Sequence, residues 1–294
     1  MKLKDSFHPY AFTTIIFWSM AYVLTRLTLS YLSAFSLGFL RYFTASVTLI
    51  IIAAVTKMKL PRLKDIPMFL VAGFIGFFIY MIAFNQGQAT VTAATGSVVI
   101  ATVPVITALF ARFIYREKLK LFQWIAILIE FIGVIVLTLM NGTFSVNRGL
   151  LWLFVAALAL SAYNLLQRKL TKTYSALQTS TYGILFGTAM LAIFSPSAFK
   201  EISVAPPIQY VYIAILGIFS SAVGYICWAK AFSKAKKTSQ VSNYMFVTPF
   251  LASIFGFIFA GEVPDKATLV GGGIILFGVL IFNFGGALIK NKED

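Results

Sequence analysis

Few residues of this chain could do chemistry, and most of those stand inside apolar runs. Glu130 interrupts "WIAILIEFIGVIVL" with no opposite charge in the same run. An acid at the centre of a bilayer costs about 2.5–3.5 kcal/mol on insertion scales, so a residue held there needs a reason. Two chemistries suit it. It could carry a proton, or it could pair with Arg41, a basic residue inside another apolar run. At 1.5 Å per residue, Arg41 comes out about 10 Å and Glu130 about 15 Å below the same surface, close enough in depth to bond. The expectation is a structural role, as the pair or as a neutral packed acid.

Four more special residues come as two matched couples. "PVITALFARFIYRE" runs from Pro104 to Glu117, and "PFLASIFGFIFAGE" from Pro249 to Glu262. Each proline falls within an apolar run, where it removes a backbone hydrogen bond and clashes with the preceding turn. In lipid the freed carbonyl needs a protein partner or cavity water, so each proline marks a bend that can line a cavity or flex. Glu117 and Glu262 stand where their runs end. There a carboxylate can accept backbone N–H groups at the start of the following helix, and it can also serve as a gate.

Aromatic and amide side chains form the third group. Trp18 and Tyr22 lie four apart on one face. Tyr163, Asn164 and Gln167 mark a matching place in the sixth run, and Tyr80, Phe84 and Gln88 follow a stripe in the third. Trp228 in the eighth run and Ser242, Asn243 and Phe246 in the ninth complete an expected ring around a solute path. Amides within hydrocarbon need partners, which makes them harder to dismiss than a lone aromatic.

Other chemistries find no residues. The chain has one cysteine, Cys227, and one histidine, His8. That excludes an intrachain disulfide and argues against a Cys/His metal cage. Cys227 reads as a small buried helix residue. No G-x-x-x-x-G-K-[ST] loop is written, so the chain does not cradle a nucleotide in that way. Embedded catalysis would need His, Asp or Glu clustered near one face, and the runs offer only Glu130. No enzyme, cofactor or metal is expected.

Composition says what must position these residues. The 294 residues are 60% hydrophobic and 11% charged, with a mean hydropathy of +0.89. A soluble domain is roughly 45–50% apolar and about 25% charged, so part of the solvent here is lipid. About 20 apolar residues span a bilayer as a helix. Ten such stretches can be read, at roughly 9–29, 34–56, 66–85, 92–115, 121–140, 149–168, 177–194, 207–231, 238–260 and 267–288. The first is too long for a cleaved leader and carries no small-residue cleavage site before Arg26. The fold class expected is an all-α integral membrane protein with ten transmembrane helices.

Charge fixes the expected orientation. With the N-terminus placed in the cytoplasm, 19 of the 24 Lys and Arg residues fall on that side. The other side receives only Arg26, Arg41, Arg148, Lys200 and Lys266. Cytoplasmic loops collect such residues, so both termini come out cytoplasmic. The net charge of +15 is then a matter of topology, and nucleic acid is not an expected partner. "SKAKKTS" at 233–239 reads as a cytoplasmic loop against anionic headgroups.

The ten stretches divide into five and five. At an offset of 145 residues, Tyr80 meets Tyr225, Ser97 meets Ser242, Pro104 meets Pro249 and Phe110 meets Phe255. Glu117 then meets Glu262, Gly133 meets Gly278 and Val134 meets Val279, with no gap. "SMAY" at 19–22 echoes "LSAY" at 160–163 at a slightly different offset. Five is odd, so the second copy enters the membrane from the opposite side. Residues 1–145 and 146–294 are therefore expected to form two inverted repeats, the arrangement many secondary transporters use around one midplane site.

The same residues carry a resemblance. "FWSMAYVLTRLTL", "LRYFTASVTL", "ATGSVVIATVPVITALFARFIYREKLKLFQWIAILIEFIGVIVL" and "SQVSNYMFVTPFLASIFGFIFAGEVPDKATLVGGGIILFGVL" resemble the drug/metabolite transporter superfamily, specifically its EamA-type ten-helix members. The resemblance covers nearly the whole chain. It implies a multi-pass protein of the cell membrane with a central cavity between the halves, mostly exporting small metabolites. Two departures stand out: Ala126 stands where the family often has Gly, and Glu130 is added. With few charges in the runs, the expected solute is neutral, zwitterionic or aromatic, and not a nucleotide sugar. A channel for small solutes is the alternative. Lipid is the other expected partner, and two copies could pair as a homodimer.

Overall fold

The structure is a computed structural model describing residues 6–115, 120–139, 148–235 and 238–290. Glu117 lies outside the described residues, as does the side chain of Asn243. Helix follows helix, and no strand occurs among the described residues. We label α1 His8–Leu29, α2 Ala34–Val55, α3 Leu63–Gln88 and α4 Ala93–Ile114. Next come α5 Leu121–Leu139 and α6 Arg148–Leu170. Then α7 Ala176–Ser203 and α8 Ile208–Lys234 follow. We call α9 the succession Thr238–Ser242, Asn243–Val247 and Thr248–Ala260, and α10 the helix Lys266–Lys290.

Among the described residues, seven of these (α1 to α4 and α6 to α8) are long and apolar enough to cross a membrane. Shorter apolar helices, Leu121–Gly133, Tyr244–Ala260 and Thr268–Phe282, lie within α5, α9 and α10. The interior is largely apolar, and the surface carries large apolar groups as well. Phe131 and Phe257 are 60% and 65% exposed, while Asn85, Gln88, Gln167 and Ser221 are fully buried. Large apolar groups outside and amides inside suit a lipid surround.

Local rules set the helix starts. Ser33 accepts from Ser36 N–H to open α2, and Thr92 accepts from Thr95 N–H to open α4. Ser175 and Gln178 form a reciprocal capping box at α7. The seventh helix extends past the expected end near 194, because Pro196 sits in the first turn of Ser195–Ser203 and is tolerated there. Glu201 on this extension accepts from Ser33 N–H at 2.6 Å and ties the α1–α2 turn to α7.

The helices pair across the two halves of the chain. The first packs on α8 and α9, α2 on α7 and α8, and α3 on α6 and α7. Likewise α4 packs on α6 and α9, and α5 on α10. Exchanging every helix for its counterpart five along maps these pairs onto one another, and α4 packs on α10 besides. Small residues permit the close approaches. A Cβ on Gly133 would lie 2.7 Å from Ile275 Cγ1, and one on Gly278 would lie 2.6 Å from Glu130 Cγ.

Departures from α-helix recur at matched places. Wide π-helical turns occupy Phe74–Ile79 in α3 and Leu216–Val223 in α8. The fourth helix breaks at Ala101–Thr102, just before Pro104, and the ninth narrows to a 3-10 stretch at Asn243–Val247, just before Pro249. Proline supplies no N–H to the turn before it, so that turn is free to leave the α ladder. Residues just after the π turns, Tyr80 and Tyr225, and residues at the breaks, Ile100 and Met245, border the same interior space.

Candidate functional site

That space is a small cavity at the centre of the assembly. The first half lines it with Trp18, Ala21 and Tyr22 of α1, Arg41 of α2, Tyr80 and Phe84 of α3, and Ile100 of α4. The second half adds Tyr225 of α8 with Met245 and Thr248 of α9. Tyr80 and Tyr225 stand 145 residues apart, as do Ile100 and Met245. Corresponding residues of the two halves thus face one space. Tyr80 and Tyr225 each follow a π turn, and Ile100 and Met245 stand at the helix breaks. The space has room for about one water molecule, at 10 Å³.

Aromatic residues make half of the wall. Tyr22 meets Phe84 edge-on at 5.2 Å, and Phe84 stacks on Tyr80 at 5.7 Å. Trp18 donates to Ser220 O at 3.0 Å and leans on Tyr225 at 5.1 Å between centroids. Two polar groups of the wall lack partners, Arg41 Nη1 and Thr248 Oγ1. The Arg41 Nε donates to Ser221 Oγ at 2.8 Å.

Several expected path residues form a second layer behind this wall. Trp228 packs on Trp18 at 5.0 Å, and its indole N–H donates to Asn164 Oδ1 at 3.1 Å. Asn164 Nδ2 reaches Thr107 Oγ1 at 3.4 Å. Tyr163 lies between Phe77 and Tyr225, with its hydroxyl unpartnered. Gln88 and Gln167 are buried with unpartnered amides and do not line the cavity. Ser242 donates to Thr238 O at 3.3 Å within its own helix. Phe246 turns to Phe284 of α10. Tyr225, Ile100, Met245 and Thr248 were not among the residues expected to contact a solute. The signal for one of them was present, since Tyr225 is the repeat partner of Tyr80, an expected contact.

The expected pair between Glu130 and Arg41 does not form. Glu130 is buried on α5, with both carboxyl oxygens unpartnered and its stem against Gly278 of α10. Arg41 is on α2, in the cavity wall. Glu130 packs on Gly278 as its repeat counterpart Ile275 packs on Gly133. It therefore fills an apolar slot. Replacing an unpartnered buried polar group by an apolar one of similar size is neutral or stabilising. Glu130→Leu is expected to melt no lower than the parent protein in detergent. A loss of more than about 1 kcal/mol would mean that the carboxyl group has a partner.

Glu262 also differs from expectation. It does not cap the helix that follows it. Asp265 does so, accepting from Thr268 N–H at 2.7 Å. Gly261 takes a left-handed turn, φ 62°, at the end of α9. This conformation is open to glycine at little cost, and it redirects the chain. Glu262 then accepts from Ala93 N–H at 2.8 Å and pairs with Arg26 at 3.1 Å. Arg26 also donates to Gln88 O at 3.3 Å. One cluster thus joins α1, α3, α4 and the end of α9. At the other end of the assembly, Arg168 donates to Thr238, and His8 bonds Tyr244. Thr238 stands 145 residues after Ala93.

A bundle of membrane-length helices around a closed aromatic cavity defines a multi-pass integral membrane protein. The sequence pattern of the EamA-like transporter family matches it twice, over residues 7–139 and 147–284. The chain belongs to that family, within the drug/metabolite transporters. The uncharacterized transporter YdfC of Bacillus subtilis is 30% identical over 263 residues, covering 89% of this chain and 86% of the relative. A probable terminal-alkyne amino-acid exporter of Streptantibioticus cattleyicolor is 27% identical, covering 92% and 91%. An S-adenosylmethionine uptake transporter of Rickettsia prowazekii is 24% identical, covering 83% and 81%. One solved crystal structure superposes with a TM-score of 0.66 over 95% of this chain and 97% of its own, at 17% identity, so the fold is shared.

Proposed function

We infer that the protein is a secondary carrier that exports a small neutral, zwitterionic or aromatic metabolite, amino-acid-like in character, across the cytoplasmic membrane. Ten spans form two inverted five-helix repeats, residues 1–145 and 146–294, with both termini in the cytoplasm. The halves move against each other and open the cavity to one side at a time. The observation that carries this reading is the pairing of Tyr80 with Tyr225 and Ile100 with Met245 around one space. Each half contributes equivalent residues, as two mirror-image gates on one site require.

The Arg26–Glu262 cluster acts as the outer gate, and the Arg168–Thr238 contact as the inner one. Pro104 and Pro249 supply the bends on which α4 and α9 flex. The reading assigns the chain no catalysis. A channel is the second reading, and the cavity's room for a single water favours the carrier. Among the relatives, one is named an amino-acid exporter and another an uptake transporter, and the export direction here follows the family resemblance.

Counterflow tests it. Proteoliposomes of purified protein are loaded with an unlabelled amino acid, and uptake of the labelled form is followed. Saturable uptake that rises with internal amino acid is the expected result. Uptake linear in concentration and indifferent to internal solute would indicate a channel.

A further inference from the structure

We propose that Arg41 is the anchor for a single carboxylate on the transported solute. This deepens the carrier reading and rests on it. Among the described residues, Arg41 is the charged side chain that lines the cavity, and it is 3% exposed. Its Nε is held by Ser221 Oγ, while Nη1 has no partner. The recorded ion pair among the described residues is Arg26–Glu262, so no described acid neutralises Arg41. Glu130, the acid expected to do so, packs against Gly278 instead.

A buried guanidinium without a counter-ion is costly, and a planar carboxylate answers it with charge-assisted hydrogen bonds. The solute's carboxylate then supplies the counter-charge beside the guanidinium that no described side chain provides. One guanidinium balances one negative charge. A phosphate dianion would leave an excess, so a monocarboxylate fits better. Thr248 Oγ1, also unpartnered, offers a second contact in the same wall. The faces of Trp18, Tyr22, Tyr80 and Phe84 suit an apolar body. They also suit an ammonium group, since ring faces attract cations. An amino acid therefore meets both needs without a protein carboxylate in the wall.

The test compares L-leucine and L-phenylalanine with their primary amides, which keep the body and replace the carboxylate. Counterflow is measured with the full-length protein in proteoliposomes. The parent protein is expected to carry the acids at least about tenfold faster than the amides, because the amide keeps the amino group and loses the carboxylate, which leaves the buried guanidinium unpaired. Arg41→Gln is expected to collapse that ratio, and Arg41→Lys to restore part of it. The comparison on the parent protein stands even if Arg41→Gln fails to fold. Saturable flux of amides equal to that of acids would overturn the anchor and leave the carrier intact. An undiminished ratio in folded Arg41→Gln would do the same. No saturable flux with any of the four probes overturns both.

Discussion

Trp228→Ala is expected to lower stability by about 3–5 kcal/mol, the range for deleting a fully buried large aromatic side chain. Trp228 has no exposed surface. It touches Trp18 at 5.0 Å and Phe232 at 5.3 Å, and it supplies the hydrogen bond to Asn164 Oδ1. Its removal empties the layer behind the cavity wall and strands the Asn164 carbonyl. Thermal unfolding in detergent checks this, with a fall on the order of 10 °C for a chain of this size. Trp228→Phe keeps a six-membered ring and loses the rest of the indole with its N–H, so it is expected to cost less than the alanine, about 1–3 kcal/mol. An unchanged midpoint for Trp228→Ala would place this tryptophan outside the packed layer. A loss of transport in this variant then reflects collapse of the wall, because Trp228 stands one layer from the space.

Gly76→Leu is expected to prevent accumulation of folded protein. A Cβ at Gly76 would lie 2.3 Å from Tyr163 Cδ2, 2.5 Å from its Cγ and 3.0 Å from its Cβ. The clash reaches the root of the tyrosine, which rotation about χ1 moves least. The ring itself is held by Phe77 at 5.0 Å and Tyr225 at 6.1 Å. Overpacking typically costs about 1–3 kcal/mol for smaller insertions, and here backbone separation of α3 from α6 is required. Gly273→Leu serves as the control, since a Cβ there meets nothing within 4 Å. Size-exclusion profiles of the two variants should diverge, with Gly273→Leu monodisperse and Gly76→Leu aggregated or absent. Equal profiles would contradict the close α3–α6 approach.

Much of the fold was legible because lipid imposes a long apolar run on each span. Leu63–Gln88 and Arg148–Leu170 fall near where the runs place them. The repeat was legible through sparse residues at one spacing, and it matched Tyr225 to Tyr80. The site was legible only in part. Apolar runs report depth along the membrane normal and say nothing of which helices are neighbours. Arg41 and Glu130 share a depth, and from depth alone they pair. In the fold α2 faces α7 and α8, whereas α5 faces α10.

The repeat held the missing information. Ile275 is the counterpart of Glu130, and an apolar counterpart points to an apolar slot. Glu262 was misread for a related reason. Its target, Ala93, lies 169 positions away in sequence, and only the turn at Gly261 aims it there. Trp18 and Trp228 were read as equals, since composition cannot tell a wall from the layer behind it.

Thiol accessibility at the cavity tests alternating access most directly. The background is Cys227→Ser, which removes the single native thiol. Ile100→Cys and Met245→Cys each place one thiol in the wall, at equivalent positions of the two halves. An impermeant maleimide is applied to right-side-out and to inside-out vesicles. Each thiol should react from both faces. Glu262→Gln, which weakens the Arg26 contact, should raise reaction from the outer face severalfold and lower it from the inner face. Reaction confined to one face, or absent from both, with no response to Glu262→Gln, would contradict the account.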